Sequence, residues 1–269
     1  MFNGDRGVMV NTGACGALDQ GSIPCDRPAM DISLIIPAYN EEKYIGACLD
    51  AALTHSRGRF KEIIVVDNAS VDRTGAIARE YEGRGVRVVR EDRKGLTHAR
   101  QAGLEASNSE WVAYIDADCL IHSNWLSAAL GHISKRPEAI ALSGPVKYHD
   151  GPHALRRVIE IVQFIILPAT SVTTGFLILG GNFIARRDAI AAIGGFDRAI
   201  SFYGEDADLG RRLSKHGVCL FRNDFFIFTS ARRLLADGIV RTLFTYMANY
   251  ISVVARRKPL TARYTDARL

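Results

Sequence analysis

Short apolar runs closed by polar or acidic residues recur through the first half of this chain. Ile32-Ser33-Leu34-Ile35-Ile36-Pro37, Glu62-Ile63-Ile64-Val65-Val66-Asp67, Val86 to Val89 and Trp111-Val112-Ala113-Tyr114-Ile115 are four of them. Strands of a parallel sheet read this way, because both of their faces are covered. Between them, apolar residues return at helical spacing. Ile45, Cys48, Leu49, Ala52 and Leu53 follow the first run, Ile77 and Tyr81 the second, and residues 97–106 form a third helical segment. Asn40 reads as the N-cap of the first helix, with Glu41 and Glu42 in its positive first turn. Strand and helix alternating at this spacing predict an α/β fold with a mainly parallel sheet and crossover helices.

The second half is less regular. Helix is expected over 125–134, strand and turn over 139–147, and a short helix from Asp188 to Ile193. Gly194-Gly195-Phe196-Asp197 reads as a stop, and a further helix starts near Glu205 with Leu209 and Leu213 on one face. Ile161 to Ile184 is strongly apolar, but Pro168, Gly175, the Thr170–Thr174 cluster and Gly180-Gly181-Asn182 interrupt it. It is expected to be buried core or an interfacial wall, not a membrane span.

Near the C-terminus Val240, Leu243, Met247, Tyr250 and Val254 recur at helical intervals, with Ile239, Phe244 and Ile251 widening the face. Arg241 lies within the segment, Arg256-Arg257-Lys258 follow it, and Pro259 stops it. Two readings stand open: a helix packed on the domain, or a reversible anchor at an anionic membrane surface. Three regions follow: a flexible leader over 1–30, lacking the pattern of a secretory signal, a domain over 31–230, and a basic amphipathic segment over 231–269.

Charge sharpens the last point. The 269 residues carry a net charge of +5, and residues 231–269 alone hold eight Arg or Lys against two Asp. Such a tail points to an anionic partner, membrane or nucleic acid. The five cysteines include no C-x-x-C pair, and the seven histidines no H-E-x-x-H, so neither a zinc site nor a disulfide framework is indicated.

Candidate chemistry gathers where the central run ends in Asp116-Ala117-Asp118. Open α/β sheets bind ligands at the carboxyl ends of their strands. Two hard carboxylate ligands there suit Mg²⁺ or Mn²⁺ held against a diphosphate. Asp67 ends another strand and can accept a hydrogen bond from a base N–H. Glu205-Asp206 stands at a helix start, where backbone N–H groups favour a carboxylate.

Four pieces in order, Ile35-Ile36-Pro37-Ala38-Tyr39-Asn40-Glu41, Val65-Val66-Asp67-Asn68-Ala69-Ser70, Asp116-Ala117-Asp118 and Gly204-Glu205-Asp206-Ala207-Asp208-Leu209, resemble family 2 glycosyltransferases. Leu96-Thr97-His98-Ala99-Arg100-Gln101-Ala102-Gly103, Gly181-Asn182 and Gly194-Gly195-Phe196-Asp197 extend the resemblance over roughly residues 31–225. It implies a GT-A fold, with a nucleotide-binding sheet, flanking helices and a smaller, mixed acceptor-side region. It implies inverting, metal-assisted transfer of a sugar from a nucleotide-diphospho-sugar, typically UDP-linked, to a glycan or lipid-linked hydroxyl.

By the same resemblance Pro37, Ala38, Tyr39, Glu41, Asp67, Lys94 and Asp116 would meet the donor nucleotide. Asp118 with Asp116 would hold the metal, Asp206 would be the general base, and Gly181, Asn182 and Glu205 would line the acceptor side. Arg93 and Arg100 are further candidates to face the nucleotide. The histidine that many such enzymes place after the last strand is missing from Phe228-Thr229-Ser230-Ala231-Arg232-Arg233, where Arg232 and Arg233 could meet the diphosphate. The implied place is cytoplasmic, peripheral at the inner membrane face, with no nucleic-acid partner. A nucleotidyltransferase or a dinucleotide oxidoreductase needs a Gly-rich loop after the first strand, and residues 36–42 contain no glycine. The remaining alternative is a non-catalytic glycan-binding protein of the same fold.

Overall fold

A computed structural model describes residues 30–200 and 203–261. The expected leader, Met30 apart, and the last residues of the C-terminal segment lie outside the described residues. The four apolar runs form β1 (Ile32–Ala38), β2 (Glu62–Asp67), β3 (Val86–Arg90) and β4 (Trp111–Ile115). Between them come α1 (Ile45–Ser56), α2 (Thr74–Glu80) and α3 (Leu96–Ala106). All four strands are mutually parallel, in the order β3-β2-β1-β4.

After β4 come α4 (Trp125–Lys135), β5 (Ala139–Ser143), β6 (Val146–Tyr148) and α5 (His153–Thr174). Then follow β7 (Asn182–Arg186), α6 (Arg187–Ala192), α7 (Glu205–Leu213), β8 (Val218–Phe221), β9 (Ile227–Thr229), α8 (Arg232–Asp237) and α9 (Ile239–Arg256). The sheet continues beyond β4 as β7-β5-β8, with β7 antiparallel to both neighbours, while β6 and β9 form a separate parallel pair. A mainly parallel half thus meets a mixed half, as the resemblance implied.

The continuous apolarity of the early strands has its cause in two cores. Leu34 and Ile36 of β1 point to the side covered by α1 and Trp125, among Ile45, Leu49 and Phe225. Ile35, between them, points to the opposite side with Val66, Leu104, Tyr114 and Leu209. Period-2 alternation sends successive residues to opposite faces, and here both faces are dry. Across the join of the two halves Tyr114 and Phe183 face each other in register and stack at 4.9 Å.

Two expectations need correction, and a third stood open between two readings. Asn40 is not a helix cap: α1 begins at Ile45, and Asn40 sits at φ 51° with its Oδ1 accepting from the Val71 N–H at 3.0 Å. A short polar side chain tolerates that left-handed backbone and ties the two neighbouring loops together.

The apolar stretch from Ile161 divides: Phe176, Leu177, Ile178, Phe183 and Ile184 are buried core as expected, but its first part is not. That part lies in α5, a continuous helix that runs through Pro168 and leaves Ile161, Ile165 and Val172 exposed. Proline lacks the N–H that would bond the Phe164 carbonyl, and the Asn223 side chain donates to that carbonyl instead, at 3.0 Å.

In α9 the buried residues are Thr242, Asn249 and Val253, whereas Val240, Phe244 and Met247 are exposed. The helix does pack on the domain, but its apolar face looks outward.

Candidate active site

The site is built at the carboxyl ends of β1, β2 and β4. Pro37 and Ala38 close β1, and Ala38 pairs in register with Asp67 at the end of β2. Tyr39 follows, and the ammonium of Lys94 lies 4.1 Å from its ring centroid and 2.6 Å from its hydroxyl. That cation–π contact holds Lys94 beside Tyr39. Arg93 is instead engaged by Glu91, at 3.0 Å.

Asp67 is buried, accepting from the Ser70 N–H at 3.1 Å and from Arg90 at 2.8 Å. A carboxylate has about four lone-pair sites, so a further donor can still be met. Asn68, beside it, donates to the carbonyls of Glu91 and Arg93 and accepts from the Gly95 N–H, fixing the loop that carries Lys94.

β4 ends at Ile115 and the chain turns, the Cys119 N–H bonding back to the Asp116 carbonyl at 3.0 Å. The turn leaves Asp116 about half exposed and encloses Asp118. Burial pushes Asp118 up to about 6, with Arg232 opposing and the carboxylates of Asp116 and Glu41 adding to the rise. Arg232, at the start of α8, reaches Asp118 Oδ2 at 3.0 Å and Glu41 Oε1 at 2.5 Å, and lies over the Tyr44 ring at 4.5 Å. Glu41 is therefore turned toward Arg232 and buried, not extended into an open groove. The sequence marked Arg232 as a diphosphate contact. Its grip on two acids from the segments after β1 and β4 was not foreseen, because nothing local in the chain joins positions so far apart.

On the other side of the acidic turn stands α7. The Asp206 carboxylate is half-buried, accepting from the Gly180 N–H at 3.1 Å and from its neighbour's N–H, Ala207, at 2.8 Å. Glu205 is buried and paired with Arg100. Burial drives both carboxyl groups above their ordinary range, the charge of Asp206 adding to the rise at Glu205, and Arg100 pulls both back. Adjacent acids so placed titrate as a unit.

Arg100 is the residue that sequence reasoning misjudged most. It is buried, not a groove residue, and bridges Glu205 to Asp116, with Asp116 Oδ1 at 3.5 Å. One guanidinium thus links the strand-end acids to the helix-start acids. Gly180 and Gly181 lie against this linkage. A Cβ on Gly180 would stand 2.5 Å from Arg100, and one on Gly181 2.8 Å from Asp116, so a side chain at either place would force those charged groups to move. Asn182 requires correction: its side chain does not face an acceptor. It is fully buried, accepting from the Trp125 indole N–H at 2.9 Å and donating to the Phe225 carbonyl at 2.7 Å. It holds the loop that the two glycines form.

A consequence is testable here. Arg100→Met strips a cation from two acids, one of them buried, and breaking such a pair costs about 3–5 kcal/mol. Urea unfolding should show that loss as a lower midpoint at unchanged slope. An unchanged midpoint would mean that the pair carries no stability.

Metal-binding capacity can be judged from the donors present. Among the described residues no group of three or more His, Cys, Asp or Glu is placed to hold an ion. Asp116 and Asp118 offer hard oxygens, and Asp118 already attracts a cationic partner in Arg232. Two carboxylates fit a Mg²⁺- or Mn²⁺-like ion that takes its remaining ligands from water and phosphate.

Comparison with known proteins now bears on these features. The model of glycosyl transferase family 2 matches residues 33–194. The chain is 29% identical over 196 residues to the glycosyltransferase AglE of Haloferax volcanii, covering 70% of this chain and 63% of that protein. It spans less than two thirds of the length of such curated relatives. Among solved structures, it resembles the mannosyltransferase PcManGT of Pyrobaculum calidifontis, in complex with GDP-Man and Mn²⁺, at a TM-score of 0.65 and 19% identity, covering 86% of this chain and 66% of that one. It also resembles glucosyl-3-phosphoglycerate synthase of Mycobacterium tuberculosis, in complex with Mn²⁺, UDP and phosphoglyceric acid, at a TM-score of 0.60 and 22% identity, covering 85% and 78%.

Proposed function

Because this chain belongs to glycosyl transferase family 2 and has the GT-A fold, we propose that it moves a sugar, with inversion, from a nucleotide-diphospho-sugar to a hydroxyl of a glycan or lipid-linked acceptor. The observation that carries this reading is the Arg100 bridge, which holds Asp116 of the acidic turn and the Glu205-Asp206 helix start on either side of one guanidinium. A transfer with inversion needs leaving-group and base functions at opposed sides of one small volume.

The nucleotide would lie along the ends of β1 and β2. Tyr39 and the Lys94 that rides on it supply a flat face and a cation, and Asp67 accepts from the base. Solved neighbours are complexes with GDP-Man in one case and UDP in another; we take a uracil base as the first expectation. Asp116 and Asp118 would hold a divalent cation, which when bound neutralises charge on the departing diphosphate. Arg232, seated on Asp118 and Glu41, lies where a phosphate oxygen can draw it off those acids.

Asp206 takes the proton from the attacking acceptor hydroxyl. The Gly180 and Ala207 N–H groups fix its carboxylate, and its raised pKa makes it the stronger base. Glu205, locked to Arg100, is a positioning residue in this scheme. The raised pKa of this half-buried carboxylate favours catalysis over glycan binding alone.

The test is a panel of UDP-, GDP- and dTDP-sugars with Mn²⁺, read first by thermal shift and then by slow donor hydrolysis with and without EDTA. One donor should raise the melting temperature, since ligand binding to the native state stabilises it, and EDTA should stop its hydrolysis. Binding without any turnover would favour the non-catalytic alternative.

A further inference from the structure

Two helices of this chain turn apolar faces to the outside. On α5, Val158, Ile161, Ile165 and Val172 recur at helical intervals and all are exposed, Val172 at 83%. On α9, Val240, Phe244, Met247 and Ile251 do the same, Val240 also at 83%. A surface helix of a globular domain ordinarily presents the opposite arrangement, and apolar surface on this scale marks an interaction site. The helices meet: Thr174 Oγ1 at the end of α5 lies 2.9 Å from the Tyr250 hydroxyl of α9, and both hydroxyls donate to the Phe176 carbonyl.

We propose that α5 and α9 together form a surface that docks on an anionic lipid bilayer. Charge decides the partner. Arg241, Arg256, Arg257 and Lys258 are all exposed on or just after α9, and no Asp or Glu occurs from 239 to 258. Arg157 is exposed at the start of the α5 stripe. A second copy of this chain would bring the same cations against themselves, whereas lipid phosphates complement them.

The helices lie along such a surface and do not cross it. Arg156–Thr174 is long and apolar enough for a span by length and composition, but it is fastened at its start, middle and end. Arg156 donates to the Tyr148 carbonyl at 3.1 Å, Asn223 to the Phe164 carbonyl at 3.0 Å, and Thr174 meets Tyr250. α9 is fastened in turn to the start of α7. Val253 and Pro259 close on Gly204, and the Tyr246 ring meets Tyr203 edge-on at 5.7 Å. A bilayer on α9 is therefore one helix away from Asp206, and a lipid-linked hydroxyl would arrive on that side; this last clause rests on the transferase reading.

The test is sedimentation of the full chain with phosphatidylcholine vesicles, with and without phosphatidylglycerol. Binding is expected only to the anionic vesicles, with release as salt rises. Arg256→Gln with Lys258→Gln should weaken it by roughly 25-fold, at about fivefold per basic group near the surface. Ile161→Asn with Ile165→Asn, and separately Phe244→Ser with Ile251→Ser, should each abolish retention while leaving donor hydrolysis in solution unchanged. Equal binding to neutral vesicles, or none to either, overturns the proposal. So does light scattering that finds a dimer split by these substitutions in a protein that ignores vesicles. Loss of binding with hydrolysis absent throughout would support the surface and reject the transferase reading.

Discussion

Asp206→Asn should lower turnover by about 10²–10⁴, the range lost with a general base, while donor affinity stays the same. The structure says why the variant is interpretable. Asn can keep its carbonyl oxygen toward the Gly180 N–H, and it gives up only the contact with the adjacent Ala207 N–H. Arg100 retains Glu205 and Asp116, so the fold should hold and a thermal melt should move little.

The pH profile adds a second readout. Burial raises the pKa of Asp206, and the active form is the deprotonated one. Wild-type rate should therefore climb with pH, on a limb displaced above the ordinary carboxylate range, and that limb should flatten in the variant. A collapse of donor affinity at unchanged turnover would instead make Asp206 a nucleotide residue.

Asp118→Asn is the companion expectation, with transfer falling by roughly 10³-fold or more, since charge stabilisation of a departing diphosphate is worth several kcal/mol. Structural damage should be small. Arg232 still has Glu41 at 2.5 Å and the Tyr44 ring beneath it, and Asn can still face Thr229. The discriminating measurement is Mn²⁺ binding followed by electron paramagnetic resonance in the presence of donor, which should weaken together with the rate. Full activity with undiminished metal dependence would remove Asp118 from the site.

Reading the chain found the elements that bury both faces almost to the residue. The run Glu62–Asp67 is β2 without adjustment, because a strand covered on both sides must be apolar throughout, and its terminal acid is met by Arg90 and the Ser70 N–H. The strand-end acids were legible for a related reason: a carboxylate that closes an apolar run stands out from it.

What stayed hidden depends on partners distant in sequence. An arginine one residue after Ala99 gives no sign that Glu205 will bury it, and Asn182 looks like any polar turn residue until Trp125 arrives. Apolarity was a poorer guide in α5 and α9. It reports that a face avoids water, not that the cover comes from this chain.

The single antiparallel strand has a consequence for how the molecule comes into being. β1 to β4 can assemble as they emerge, each beside a strand already made or soon to follow. β5 cannot: its two neighbours in the sheet, β7 and β8, both lie later in the chain. Until residue 182 is synthesised, β5 has no edge to join, and its apolar face waits uncovered beside a finished parallel half. Non-local pairings of this sort close late and leave apolar surface open meanwhile. The mixed half of the sheet is thus the last to exist, and during synthesis the ends of β1, β2 and β4 form before α7 stands beside them.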